Sequence, residues 1–173
     1  CSEAQLAPYM AQPQHDQLVI ANINSPAQLV IAGPVAQLTL MIASLQQNQI
    51  AGKFLAVSRA FHSPMMSESA SQLSAIADKL QWQTPTTRCY SAMTTLPYPQ
   101  KPQQVRQQFD RHMLSAVNFC GQIEQMYQDG GRIFIEMGPK QVLANLVDTI
   151  LVDKPHTAVS FESGGGGMKG LLA

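Results

Sequence analysis

Apolar positions along this chain switch repeatedly between the period of a helix and that of a strand. Residues 2–10 read as a short helix with Ser2 as its cap, ended by Pro13. Residues 17–23 and 28–32 read as strands, and Asn24-Ser25-Pro26 between them carries turn chemistry, so an antiparallel pair is expected. Gly33-Pro34 then opens a helix to about residue 49, with Val35, Leu38, Ile42 and Leu45 on one stripe. Gly52 ends that helix, and residues 53–58 form the next predicted strand. The order helix–strand–strand–helix–strand lacks only an opening strand to be a ferredoxin-like βαββαβ unit.

The second half alternates more regularly. Ser63 suits an N-cap and Pro64 the first helical position, predicting a helix over 64–80 with Met66, Ala70, Leu73, Ile76 and Leu80 inward. Residues 86–91 read as a strand and 94–102 as a proline-rich loop. A helix follows over 103–113 with Val105, Phe109 and Met113 on one side. Another spans 119–129, with Phe119, Ile123 and Met126 inward, stopped by Gly130-Gly131. A strand at 132–137, a helix at 140–151 and a strand at 157–161 complete the pattern. Strands alternating with helices imply an α/β fold with a parallel sheet covered on both faces. Residues 163–167 read as a flexible linker.

Composition narrows the classes. The 173 residues suffice for one domain with a real core, 45% of them are hydrophobic, and charged residues make up only 13%. Eleven basic and eleven acidic side chains cancel, with no basic cluster, so the chain lacks the electrostatic footprint of a nucleic-acid binder. No apolar run approaches the roughly 20 residues of a membrane span, and no signal peptide is visible. Cys1, Cys89 and Cys120 are odd in number and far apart, which fits free thiols in a reducing cytoplasm. His15, His112 and His156 lack metal-ligand spacing, so no metal is expected. Both ends read as cuts in a longer polypeptide.

Candidate chemistry centres on residues 54–66, Phe-Leu-Ala-Val-Ser-Arg-Ala-Phe-His-Ser-Pro-Met-Met. His62 falls between the carboxyl end of a predicted strand and the amino end of a predicted helix, the edge at which open α/β sheets place ligands. The positive end of the helix would help keep the imidazole neutral, as a base must be. A histidine that merely caps a loop fits the same position.

The run Ala60-Phe61-His62-Ser63-Pro64-Met65-Met66 resembles the histidine motif of the malonyl-CoA:acyl-carrier-protein acyltransferases of fatty-acid, polyketide and polyunsaturated-fatty-acid synthases. Two further stretches match that family in the same order. Residues 21–33 resemble its Asn-x-Asn-Ser-Pro…Val-Ile-Ser/Ala-Gly segment, and residues 135–143 its Glu-x-Gly-Pro-x-x-x-Leu segment.

The resemblance implies part of an acyltransferase fold. Residues 1–57 would be a ferredoxin-like small lobe lacking its first strand, and 58–162 the carboxy-terminal part of an α/β-hydrolase-like lobe. Residues 163–173 would be a linker and the start of a following helix. It also implies chemistry: a serine in a G-H-S-x-G elbow takes the malonyl group from CoA and passes it to the phosphopantetheine thiol of acyl carrier protein. His62 would be the general base and acid.

By alignment of residues 115–119 with the family's Pro-Val-x-Phe/Trp segment, Asn118 would accept the His62 Nδ1 proton on its backbone carbonyl; opening the next helix suits the same residue. Phe61 would fill the space an α-methyl group needs, favouring malonyl. Arg59 stands where malonyl-selective polyketide members have histidine, and reads as a substrate neighbour or a solvated charge. Asn24 either approaches the substrate cleft or only builds its turn. Glu136 reads as a structural acid.

No G-x-S-x-G stretch is present, so the residues in hand would hold the base without the nucleophile and be inactive alone. Implied partners are malonyl-CoA, acyl carrier protein, the amino-terminal half of the same domain and neighbouring synthase domains, with no bound cofactor. The rival reading is a non-catalytic acyltransferase-like scaffold or carrier-protein docking module.

Overall fold

The computed structural model describes residues 1–162. The predicted linker and following helix lie outside the described residues.

Helix α1 (Glu3–Met10) opens with a reciprocal cap. Ser2 Oγ accepts the Gln5 amide at 3.2 Å, and Gln5 Oε1 accepts the Ser2 amide at 2.9 Å. Strands β1 (Val19–Ser25) and β2 (Gln28–Ala32) form the expected antiparallel hairpin. Its tip is Pro26-Ala27, so Asn24 and Ser25 belong to the strand rather than to the turn. Asn24 Nδ2 donates to Gln28 Oε1 across the hairpin at 3.0 Å.

Helix α2 (Val35–Gln47) packs beside the hairpin, and Leu6, Leu18, Met41 and Leu45 form the first core, flanked by Ile20, Ile31 and Leu38. The predicted stripe is corrected in two places. Val35 is 71% exposed, and Met41 occupies the buried position assigned to Ile42. Spacings of three and four from Leu38 reach Met41 and Ile42 alike, so period alone does not separate them. Gly33 is required by close approach: a Cβ there would lie 2.4 Å from Leu18 Cδ2 and 3.1 Å from the Gln17 carbonyl.

The strand predicted at 53–58 is not formed. The segment is irregular, and Phe54, Leu55 and Val57 are exposed. A strand is held by ladder bonds to a neighbour, and no described strand runs beside this one. A 3-10 turn (Pro64–Met66) capped by Ser63 then leads into α3 (Ser67–Ala77), as the Ser-Pro signal predicts. The buried line of α3 runs through Ala70 and Ala77, while Ile76 and Leu80 face solvent, against expectation.

Polar and aromatic contacts tie α3 to α4 (Pro102–His112). Arg106 donates to the Ser74 carbonyl at 3.0 Å and to Asp78 at 2.7 Å, and pairs with Asp110. Trp82 packs against Phe109 with centroids 5.0 Å apart and ring planes at 53°. The strand predicted at 86–91 reduces to one bridge, Tyr90 with Pro97: the Tyr98 amide donates to the Cys89 carbonyl at 2.7 Å, but Pro97 and Pro99 on either side have no N–H to extend the ladder.

Strand β3 (Val117–Asn118) pairs in parallel with β1, giving a three-stranded sheet of order β2-β1-β3. Helix α5 (Phe119–Gln128) ends at Asp129, after which Gly130 takes φ +100°. Strand β4 (Ile133–Pro139), helix α6 (Val142–Ile150) and β5 (Thr157–Glu162) form a parallel pair with its crossover helix. Parallel pairing therefore occurs as expected, but in two separate sheets. Ile123, Val147, Ile150 and Leu151 make the second core, with Phe119, Met126 and Phe134 against it.

That core lies on one side of the β4–β5 pair. On the other, Ile133, Ile135 and Met137 of β4 are 71%, 54% and 76% exposed, and Val159 and Phe161 of β5 are exposed too. The register sets Ile135 beside Val159, so these side chains form one apolar face.

Candidate functional site

His62 sits at the apex of the turn between the irregular 53–58 segment and the Pro64–Met66 turn, with φ +59°, a left-handed torsion uncommon outside glycine. The turn is fastened by Ser63, which is buried: its Oγ donates to the Ala60 carbonyl at 2.6 Å and accepts the Met65 amide at 3.3 Å. That hydroxyl is committed to capping and is not presented as a nucleophile.

Nδ1 of His62 lies 3.2 Å from the backbone carbonyl of His112. A carbonyl can only accept, so Nδ1 carries the proton, and Nε2 is the basic nitrogen. No described residue bonds Nε2. His112 is the last residue of α4. Terminal helix carbonyls lack an intrahelical partner and are available for this purpose.

The His112 ring meets the His62 ring edge to face, with centroids 5.6 Å apart and planes at 89°. Burial first, and the neighbouring His62 second, hold the His112 imidazole below the ordinary histidine range, so it resists protonation.

The other expected site residues are placed as follows. Phe61 and Arg59 share the turn with His62 and are exposed. The carbonyl facing His62 is that of His112, not that of Asn118; Asn118 instead caps α5, its Oδ1 accepting the Gly121 amide at 2.8 Å. The motif match found the right chain segment but entered it six residues too late, because the carbonyl comes from the helix end rather than from the short strand after it. Asn24 is next to Ile23, the β1 partner of Asn118, and no hydrogen bond joins it to His62. Glu136 accepts the Ala144 amide in the first turn of α6 at 2.9 Å, a structural role as read from the sequence.

His112 was missed in the sequence. Its signal was available in the end of a predicted helix a few residues before Asn118, but helix length alone does not say which final carbonyl turns toward a ring.

The turn is open rather than enclosed. An open depression of about 490 Å³ is lined by Arg88, Cys89, Tyr98 and Asp129, and an apolar groove of about 280 Å³ by Phe119, Ile135, Leu143 and Val147; neither includes His62. Among the described residues no group of three or more His, Cys, Asp or Glu is placed to hold a metal ion. No described helix is long and apolar enough to cross a membrane.

This arrangement of a helix-packed hairpin, a histidine turn and a βαβ unit is part of an acyltransferase fold. It superposes on the malonyl-CoA:acyl carrier protein transacylase of Xanthomonas oryzae pv. oryzae with a TM-score of 0.85 at 24% identity, covering 99% of this chain and 55% of that one. The family model for the acyl transferase domain matches residues 4–160, and the chain belongs to that family.

Among curated relatives, a polyunsaturated fatty acid synthase from Thraustochytrium sp. is 37% identical over 79% of this chain and 5% of its own length. The malonyl CoA-acyl carrier protein transacylase of Haemophilus influenzae is 31% identical over 86% of this chain and 48% of its own. The chain thus spans less than half the length of either of these relatives.

Proposed function

We propose that this chain supplies the histidine half of an acyltransferase that moves a malonyl group from CoA to acyl carrier protein. A serine from the amino-terminal half of the domain attacks the malonyl thioester carbonyl while His62 Nε2 accepts its proton. The tetrahedral intermediate collapses, the C–S bond breaks, and the imidazolium returns the proton to the departing CoA thiolate. The phosphopantetheine thiol of the carrier protein then gives its proton to the same nitrogen and attacks the acyl-serine. The serine oxygen recovers the proton as it leaves.

The observation that carries the reading is the state of His62 within its motif: Nδ1 held by a helix-terminal carbonyl, Nε2 without a hydrogen-bond partner among the described residues. Names of relatives support the substrate and acceptor. The exposed apolar face of β4 and β5 supports the missing half of the domain as a structural partner, because a parallel sheet is ordinarily covered on both faces. Phe61 stands beside the base and would disfavour a branched extender unit, by about 1–3 kcal/mol for one methyl group.

The test is malonyl transfer to acyl carrier protein by a preparation in which this chain is joined to a serine-bearing half. His62→Ala is expected to lower the rate by roughly 10²–10⁴-fold. Transfer at an undiminished rate would remove the assignment and favour a non-catalytic docking module. The chain by itself is expected to give no transfer.

A further inference from the structure

We infer that the side chain of His112 is a positioning residue for His62: its ring, set edge to face against the His62 ring, holds that imidazole at the angle where Nδ1 meets the α4 carbonyl and Nε2 is left free. This rests on the reading of His62 as the base, but the geometry behind it is separate.

Acyl-transferring histidines need a second group to choose the tautomer and fix the ring, a task often given to a carboxylate. No carboxylate contacts His62 among the described residues; the polar contact at Nδ1 is a neutral carbonyl at 3.2 Å. A single bond of that length leaves the ring free to swing about its last torsion. Ser63 fastens the backbone of the turn, but those bonds do not set the torsion of the His62 ring.

The His112 ring closes that freedom. The perpendicular contact, at 5.6 Å between centroids, is one of the two preferred arrangements of flat π-systems. One residue therefore gives two restraints: its carbonyl selects the protonated nitrogen and its ring sets the plane.

The same residue is suited to sit beside a base that becomes charged. His112 is half-buried at the end of α4 and held neutral by that burial, so it does not place a second positive charge against the imidazolium formed in each half-reaction. A lysine or arginine in its place would. A neutral aromatic face would keep the contact without the risk of charge.

The experiment uses the 173-residue chain with ¹⁵N-labelled imidazoles and long-range ¹H–¹⁵N NMR, at a pH above both titrations so that each ring is neutral. The readout is the His62 tautomer ratio, which depends on the ring's alignment with the carbonyl and not on catalysis. In the parent chain the Nδ1-protonated form is expected to predominate. His112→Leu fills the space without an aromatic edge and is expected to lower that ratio roughly fivefold, the scale of one aromatic contact. His112→Phe is expected to restore it.

Equal ratios in the parent and in both variants would overturn the inference, as would equal losses in His112→Leu and His112→Phe. The His62→Ala transfer assay decides the other question. Loss of tautomer preference in His112→Leu beside full activity in His62→Ala would retain the positioning role and remove the proposed base. Unchanged tautomers beside an inactive His62→Ala would do the reverse.

Discussion

Residues 1–50 and the histidine-bearing stretch from 53 to 112 are of similar length and are held together by different forces. The first encloses Leu6, Leu18, Met41 and Leu45 between two helices and a hairpin. The second buries Met66, Ala70, Ala77 and Val105 without gathering them into a cluster like the first, leaves Phe54, Leu55, Val57, Ile76 and Leu80 exposed, and is fastened by Arg106, by Trp82 on Phe109, and by His62 on His112. The turn that carries His62 therefore depends more on directional contacts than the first region does. Residues 1–162 leave its large apolar side chains uncovered.

The largest effect expected is on chemistry: His62→Ala removes two to four orders of magnitude of malonyl transfer in a preparation carrying both halves. Next is the core contrast. Leu6→Ala should destabilise the chain by about 2–5 kcal/mol in urea unfolding, whereas Val57→Ala, on the exposed segment, should change it by no more than about 0.5 kcal/mol. Similar costs at both positions would erase the distinction between the regions. Ser2→Ala, which removes the α1 cap, should cost about 1 kcal/mol by the same measurement.

The smallest effects are pH-dependent and of opposite sign. The His112 pKa is lowered, mainly by burial, so between its ordinary value of 6.5 and the depressed folded value the unfolded chain binds the extra proton. Its contribution to stability is therefore present above that window and lost as pH falls through it. The His156 pKa is raised by the Lys154 carbonyl and by Asp148, 2.9 Å from Nε2. Its contribution is full below 6.5 and lost as pH rises through the folded value. Replacing His112 by glutamine should flatten the curve just below 6.5, and replacing His156 should flatten it just above 6.5. Identical curves for parent and variants would contradict both signs.

Much of the fold was legible because its signals are local. The Ser2 cap, the β1–β2 hairpin, Ser63-Pro64 and the glycine stop after α5 each depend on residues within a few positions. The His62 motif was legible for the same reason. What failed depends on partners distant in sequence. Residues 53–58 have strand composition but no described neighbour to pair with. Ile76 and Ala77 are adjacent, and the packing of α4 on α3, not periodicity, decides which is buried. The choice between the carbonyls of Asn118 and His112 turns on where α4 ends relative to a turn fifty residues earlier, and no local pattern encodes that.

The left-handed torsion at position 62 bears on how any replacement there is interpreted. Asparagine and glycine adopt it at little cost, while alanine, valine or leucine strain the main chain in addition to deleting the imidazole. An asparagine variant should therefore silence the proton relay while leaving the loop's shape and melting temperature close to those of the parent, which makes it the cleaner control for separating lost reactivity from lost structure.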